Sequence, residues 1–366
     1  MRTTWQGFMY RIDPNRTQQT ALAVQFGHAR YVYNWGLAER RAAYETTGKG
    51  LTYNQQAKRL TALKREQPWL REAHSQVLQQ KLMDLNDAYQ QFFDRVKKGT
   101  KPAGYPRFKR RKGDQKIRYP QGLEIVENRI KLPKVGWVKI RLHRPFEGEM
   151  KSCTVTKTKS GAYFVSILCE VEVPEVAITG PTVGIDLGLI TLATFSNDEP
   201  PAPNHRFLRQ SEHKLKQLQR KLARQKQNSR QWLRTKRRIA ALQEHIANQR
   251  QDQQHRLSFY LTRHYGRLVF ENLHIKGMLK NHRLAKSISD TAWSQFVEFC
   301  EYKGEWYGCA VERVDRFFPS TQKCHVCGVK NKDLDLSDRQ WQCPNCKTVL
   351  DRDKNAAINM LLAGGG

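Results

Sequence analysis

Apolar and polar residues nearly alternate at the start of the chain. Trp5, Phe8, Tyr10 and Ile12 punctuate polar neighbours and Asp13-Pro14-Asn15 ends the run, so residues 1–13 are expected to form a strand. The period then lengthens. Leu22, Phe26, Ala29, Val32, Tyr33 and Leu37 fall three and four apart, as one face of a helix requires. Further helical stretches cover 53–65 and 75–97, the second carrying Val77, Leu78, Leu82, Leu85, Ala88, Tyr89 and Phe92. A basic stretch punctuated by proline and glycine, TKPAGYPRFKRRKGDQKIRYP, comes next. From 123 to 173 the period of two returns: LEIVENRIKLPKVGWVKIRL and KSCTVTKTKSGAYFVSILCEVEV read as strands joined by turns, with Lys159-Ser160-Gly161 as a hairpin tip. The simplest assembly is a small antiparallel barrel. If 1–13 joins it, the helices are an insertion between two barrel segments. VPEVAITGP is the candidate linker to the second half of the chain.

That half opens on TVGIDLGLITLATF, an apolar run broken by Asp-Leu-Gly, as in two strands around a tight turn. Residues 205–256 are helical, with Leu215/Leu218/Leu222 and Ile239/Leu242/Ile246 in 3,4 spacing and Asn228-Ser229 between the two sets. Two antiparallel helices with a narrow apolar seam are expected. RLVFENL at 267–273 reads as a buried strand, 290–307 as a helix, 309–314 as a short strand, and DRDKNAAINMLLA as a closing helix.

Length and charge change this picture from a fold to a partner. The 366 residues allow roughly two or three domains. Lys and Arg number 64 against 34 acids, a net charge of +30, which attracts a polyanion. An anionic membrane would want a basic amphipathic anchor beside an apolar segment, and none is evident. No apolar core near the N-terminus suits a signal peptide, so a cytoplasmic, nucleoid-associated protein is expected. Residues 205–256 hold 15 basic residues and three acids. A solvated helix face stabilised by i,i+4 pairs would mix signs. Residues 95–118 hold 11 basic residues and one acid, interleaved with Tyr105 and Phe108 and followed by Tyr119, the composition of a surface that tracks a backbone and stacks bases. Arg107, Lys109, Arg110 and Arg111 are its candidate contacts.

The cysteines carry the most specific local signal. Cys324-x2-Cys327, a gap of 15 residues and Cys343-x2-Cys346 match four-thiolate zinc spacing. Each pair makes a knuckle, Gly328 relieves the first turn, and a closed four-sulfur shell makes the Zn2+ structural, with His325 outside the ligand set. Cys153, Cys169, Cys300 and Cys309 sit in apolar contexts and read as reduced, buried thiols.

Three acids form the second constellation. Asp186 follows an apolar run and precedes Gly188, Glu271 caps Leu-Val-Phe, and Asp353 starts the last helix two residues after Asp351. Carboxylates at element ends suit a metal site in an open α/β sheet; hard oxygens suit a two-metal hydrolytic centre. Each acid alone also has a plain explanation: a turn, a surface charge, a helix N-cap.

The flanking segments decide between these. GIDLG at 184–188, VFENL at 269–273, FFPSTQKCHVCG at 317–328 and CPNCKTVLDRDKNAAIN at 343–359 resemble, in that order, the TnpB family, the RNA-guided nucleases of bacterial and archaeal insertion sequences, related to type V CRISPR effectors. RIDPNRTQ, GHARYVYNWGLA, PWL, YPRFKRR and LPKVGWVKI extend the resemblance through the N-terminal half. It implies a multi-domain α/β and β protein. A wedge-like β-barrel (1–15 and 118–178) is interrupted by a helical recognition domain (16–117). A RuvC-like, RNase H-type nuclease domain comes after it (179–319 and 350–366), with a zinc ribbon (320–349) inserted before its last acid. It implies Asp186, Glu271 and Asp353 as catalytic ligands of Mg2+ or Mn2+, the second acid of the D-x-D pair being the match. It also implies a guide RNA from the element's end, a double-stranded DNA target with a short flanking motif, and Tyr53, Ser75, Gln76 and Gln79 at positions that read the motif. The 205–256 hairpin would lie near the RNA–DNA heteroduplex.

The chain departs from the family pattern in one respect: it stops soon after the last helix at LLAGGG, whereas many relatives carry a longer tail. The nuclease core is expected to need no such tail, so activity should survive, while any function housed in the tail is in doubt. A guided binder that does not cut would have lost one of the three acids, and none is lost. A strand-transfer transposase would need a nucleophilic tyrosine with a paired histidine, and no such motif is evident. A compact CRISPR effector shares every motif and differs only in genomic setting. A monomer is the simplest expected state.

Overall fold

The computed structural model describes residues 2–111, 115–173, 178–335 and 338–364. The chain divides into two units, Met1–Val173 and Pro174–Gly366. The expected linker spans that boundary, and its residues 174–177 lie outside the described residues. No helix among the described residues is long and apolar enough to cross a membrane.

The first unit starts with β1 (Arg2–Asp13), followed by α1 (Arg16–Thr47), α2 (Tyr53–Glu66), a 3-10 turn (Pro68–Glu72) and α3 (Ser75–Lys97). Then come β2 (Gln115–Tyr119), β3 (Glu124–Val126), β4 (Arg129–Leu132), β5 (Gly136–Arg141), β6 (Glu149–Lys157) and β7 (Tyr163–Val173). α1 begins where it does because Asn15 and Gln18 form a reciprocal capping box, and it ends at Gly48, whose φ of 65° favours glycine. The six apolar residues read as its inner face are all buried.

Seven antiparallel strands in the order β2-β6-β7-β1-β5-β4-β3 make one sheet, so β1 does join the strands of 115–173. Ile117 and Tyr119 near one edge share a core with Ile130 and Leu132 near the other, and with Leu22, Phe26, Ala29 and Val77 of the helices. The sheet therefore curls around a single core. Among the described residues no ladder joins the edge strands β2 and β3.

The second unit contains β8 (Thr182–Asp186), β9 (Thr191–Phe195), β10 (Ala202–Pro203), α4 (Phe207–Ala223), α5 (Arg230–His264) and β11 (Arg267–Phe270). It continues through α6 (Ile275–Met278), α7 (Ala285–Thr291), α8 (Trp293–Tyr307), β12 (Ala310–Arg313), β13 (Gln340–Gln342), β14 (Val349–Asp351) and α9 (Arg352–Ala363). A five-stranded sheet runs in the order β10-β9-β8-β11-β12. β8, β11 and β12 are parallel, and β9 runs antiparallel to β8. α4 and α5 form the expected hairpin, turning at Asn228 (φ 64°) and Ser229, which caps α5 through the Trp232 N–H. No residue of α4 is fully buried, as a narrow seam implies.

The helix expected over 290–307 is two helices. Ala292 adopts φ 48°, and Gln254 of α5 donates to the carbonyls of Thr291 and Ala292. A partner on a neighbouring helix thus satisfies the backbone groups that the break releases.

Candidate active site

β8 and β11 lie side by side with Ile185 opposite Phe270. The next residue on each strand is an acid, so the register sets Asp186 and Glu271 next to each other at the carboxyl ends of neighbouring strands. β8 is also where the sheet changes sense, antiparallel to β9 on one side and parallel to β11 on the other. Open α/β sheets bind ligands beyond such strand ends, where the connections diverge.

The third acid arrives on α9, which packs along β8. Gly184 allows the approach: a Cβ there would overlap the Ala357 carbonyl oxygen and crowd the Leu361 N–H. Asp353, Ala357 and Leu361 are four residues apart and share one helix face. The packing that places Ala357 on Gly184 therefore brings Asp353 towards the end of β8.

The acids feel one another. Asp186 is only 7% exposed. Burial pushes its carboxyl well above the usual range, and the charges of Glu271, Asp353 and Asp351 push the same way, against Arg352. Burial also raises Glu271. Asp353 lies 3.3 Å from Arg352 and 3.4 Å from Arg339. Asp351 is committed elsewhere: its side chain caps α9 by accepting the Lys354 N–H at 2.8 Å. Thus the D-R-D sequence divides between a capping acid and one placed with Asp186.

The carboxylates are neighbours without being a single tight shell. Among the described residues, only the four cysteines bring all their ligand atoms within 4.8 Å of one another. A site for two ions roughly 3.5–4 Å apart spreads its carboxylates more widely than a one-ion shell. The donor set fits divalent cations: all oxygens, hard, and mutually repulsive until a positive charge intervenes.

The cysteine cluster fits Zn2+. Cys324 and Cys346 have sulfurs 3.7 Å apart, and Cys327 and Cys343 3.4 Å. A tetrahedron with Zn–S of about 2.3 Å has edges of about 3.8 Å. Gly328 takes φ 78°, as the knuckle turn requires. The Val329 N–H and the Asn345 side chain pull the Cys327 thiol down to about 6, favouring the thiolate that binds metal. Burial pushes Cys324 up to about 11. Trp341 of β13 and Leu350 of β14 pack beside the cluster. His325 is not part of the group: its ring Nδ1 and backbone N–H both face Asn355 Oδ1, at 3.0 Å each. Cys153, Cys169, Cys300 and Cys309 are free and buried.

In the first unit Arg107, Arg110 and Arg111 are exposed and make no ion pair among the described residues. Lys109 is more committed. Its backbone is bonded to Asn34 in both directions, and its ammonium lies 5.0 Å above the Tyr33 ring. Of the aromatic residues interleaved with these cations, Tyr105 and Phe108 are exposed, and Tyr119 alone departs from the expected stacking surface. Arg41 lies over both Tyr105 and Phe108, at 5.0 and 4.9 Å from the ring centres, and Tyr105 shares a 2.7 Å hydrogen bond with Tyr89. Tyr119 is wholly buried in the core. Ser75, Gln76 and Gln79 share the first turns of α3; Ser75 accepts the Lys64 ammonium at 2.7 Å. Tyr53 opens α2 and packs against the cluster containing Leu78 and Leu82.

Two residues near the acids carry no signal in a sequence pattern. Asn355 and Asn359 are each 1% exposed and hold the segment that enters the zinc knuckle.

Known proteins resemble this chain along its length. Residues 293–360 match the family described as "Cas12f1-like, TNB domain", 166–282 the one described as "Probable transposase", and 1–49 a helix-turn-helix domain. A protein of Streptomyces pristinaespiralis named "Putative RNA-guided DNA endonuclease" is 35% identical over 100% of this chain and 90% of its own length. Its Escherichia coli counterpart InsQ is 33% identical over 98% of this chain and 92% of its own length. A Cas12f1 chain solved with guide RNA and target DNA shares the fold, with a TM-score of 0.58 and 15% identity over 94% of this chain and 83% of that one. On the strength of those full-length relatives, the chain belongs to the family of TnpB-like RNA-guided DNA endonucleases.

Proposed function

We propose that this chain cuts DNA chosen by a guide RNA, with Asp186, Glu271 and Asp353 as the ligands of catalytic Mg2+ or Mn2+. The observation that carries the reading is the parallel register of Ile185 with Phe270, which makes Asp186 and Glu271 adjacent at a strand-end switch point. When bound, the ions neutralise charge at the scissile phosphate and acidify a water. The chain's own groups prepare for that charge. Asp186 is held by two neighbouring strands, Asp353 by the first turn of α9, and Arg339 and Arg352 offset the Asp353 charge from the side. The four cysteines hold a structural Zn2+, closed to substrate because no fourth position is left open.

Within this reading the curled sheet is the wedge-like barrel (1–15 and 118–178) and its helices (16–117) are the recognition domain. Residues 179–319 with 350–366 are the RuvC-like nuclease domain, and 320–349 the zinc ribbon. Base pairing selects sequence, while the protein holds the duplex by shape and reads only a short flanking motif. The excess of +30 supplies the attraction for both nucleic acids. Ser75, Gln76 and Gln79 present polar groups on one end of α3 and are assigned to the motif, with Tyr53 supporting them. Arg107, Arg110, Arg111 and Lys109 are assigned to backbone phosphates.

Expression of the full chain with its flanking DNA, sequencing of the RNA that co-purifies, and cutting of a plasmid library with randomised flanks test the reading. It requires one RNA species and Mg2+-dependent cuts beside one short motif. Cutting that ignores the guide sequence would refute it.

A further inference from the structure

The last acid sits on a helix that is gripped from two sides. Asp353, Ala357 and Leu361 face the sheet, with Ala357 pressed on Gly184. Asn355 and Asn359 are also four residues apart and lie on another face of the same helix. The Asn355 amide nitrogen donates to the carbonyl oxygen of Lys323 at 2.8 Å, with longer contacts of 3.4 and 3.5 Å to those of Ser320 and Thr321. Its oxygen accepts the His325 N–H and faces the His325 ring Nδ1. The Asn359 nitrogen donates to Ser320 and Lys323 at 2.8 and 2.5 Å. Lys323 immediately precedes Cys324, and the Cys324 backbone is fixed by Val329 and Gly328 within the knuckle. The carbonyls that receive both asparagines therefore belong to the strap whose shape the four-cysteine site sets.

Buried amides are costly unless satisfied, so these two side chains tolerate one strap position. Loosening the strap frees that face of α9, and Asp353 is in the first turn. Resting on the catalytic reading above, we infer that Asn355 and Asn359 are positioning residues, which couple the zinc knuckle to the placement of Asp353 and thereby set the affinity of the catalytic site for divalent cations. They touch neither substrate nor reacting atoms. The zinc ribbon then serves the nuclease centre through this strap.

The test uses Asn355→Asp and Asn359→Asp in the full chain. Each keeps size and acceptor but turns a donor towards carbonyl oxygens into another oxygen. Mn2+ is titrated by electron paramagnetic resonance, counting only the sites that Asp186→Ala removes, alongside zinc content and thermal unfolding. The expected result is full zinc content and a Mn2+ midpoint raised about tenfold or more, the usual loss for an outer-shell partner. The Mg2+ concentration for half-maximal cutting rises in parallel, while the rate at saturating Mg2+ stays within a few-fold. If Asn355→Asp fails to fold, Asn359→Asp, which loses two donor bonds, carries the test. A folded, zinc-loaded variant with an unchanged Mn2+ midpoint overturns the inference. Should Asp186→Ala remove no Mn2+ site at all, the catalytic reading itself fails, a separate and recognisable outcome.

Discussion

Gly184 in β8 and Ala357 in α9 meet backbone to backbone, with no room for a side chain at position 184. This contact sets how closely Asp353 comes to Asp186. Gly184→Ala is expected to cost about 1–3 kcal/mol in unfolding free energy, as overpacking does, and to depress cutting by more than the lost folded fraction. Urea unfolding and cleavage rates on one preparation check this. Unchanged cutting in a folded variant would show that α9 tolerates a shift and that the contact does not position Asp353.

The parts of the fold that obey a local period were open to reading. Leu22, Phe26, Ala29, Val32, Tyr33 and Leu37 are all buried because a helix packs the face its period defines. β7 alternates faithfully from Tyr163 to Val173. β2 was hidden within the basic stretch, since Lys116 and Arg118 point outward and only Ile117 and Tyr119 point in. β13 and β14 are three residues each, too short for any period. The break at Ala292 has no glycine or proline to announce it; the carbonyls it releases are met by Gln254, a side chain on another helix. The site divides in the same way. The cysteine quartet is legible because its ligands are close in sequence. The adjacency of Asp186 and Glu271 depends on the pairing of distant strands, which the family resemblance supplied and periodicity did not. Asn355 and Asn359 read as ordinary polar helix residues, because nothing local says that their face is buried.

The raised carboxyls make stability depend on pH in a stated direction. A carboxyl whose folded pKa lies above its unfolded value binds more protons when folded, so stability falls as pH rises from the unfolded value through the folded one. Asp186 and Glu271 both shift upward. Without divalent ions, their contribution is therefore greatest in acid and lost as pH rises through the raised folded values. Mg2+ restores it, and its benefit grows with pH. Asp186→Asn should raise the melting temperature in chelator and lose the Mg2+-induced increase. Melting curves from pH 5 to 8 with and without Mg2+ measure both; an Asp186→Asn variant that still gains stability from Mg2+ would remove Asp186 from the ion site.

Zinc should be bound once per chain and compete with protons. A depressed thiol contributes its thiolate above its folded pKa and loses it as pH falls through that value; for Cys327 this lies at about 6 before metal binds. Zinc affinity is expected to decline as the solution is acidified. Cys327→Ser should release the ion and raise hydrogen exchange in 320–351 while β8 and β11 stay protected. Zinc content and mass-resolved exchange report this. Retention of zinc in that variant would contradict a four-cysteine site.

Nucleic-acid affinity should fall steeply with salt, because each neutralised phosphate releases counterions, with a log–log slope near −0.9 per contact on duplex DNA and about −0.7 on single strands. Replacing Arg107, Arg110 and Arg111 together with alanine should flatten the slope by up to about three contacts while leaving the melting temperature unchanged, since the three are exposed. Binding measured from low to moderate salt decides it. An unaltered slope would move the phosphate contact away from this loop.

The central claim is that three carboxylates cut while other surfaces choose. The most direct measurement pairs target cleavage with target binding for Asp186→Ala in the guide-loaded full chain, at saturating Mg2+. The predicted result is cleavage reduced to background with RNA and DNA binding retained. Cleavage at the wild-type rate by that variant would contradict it.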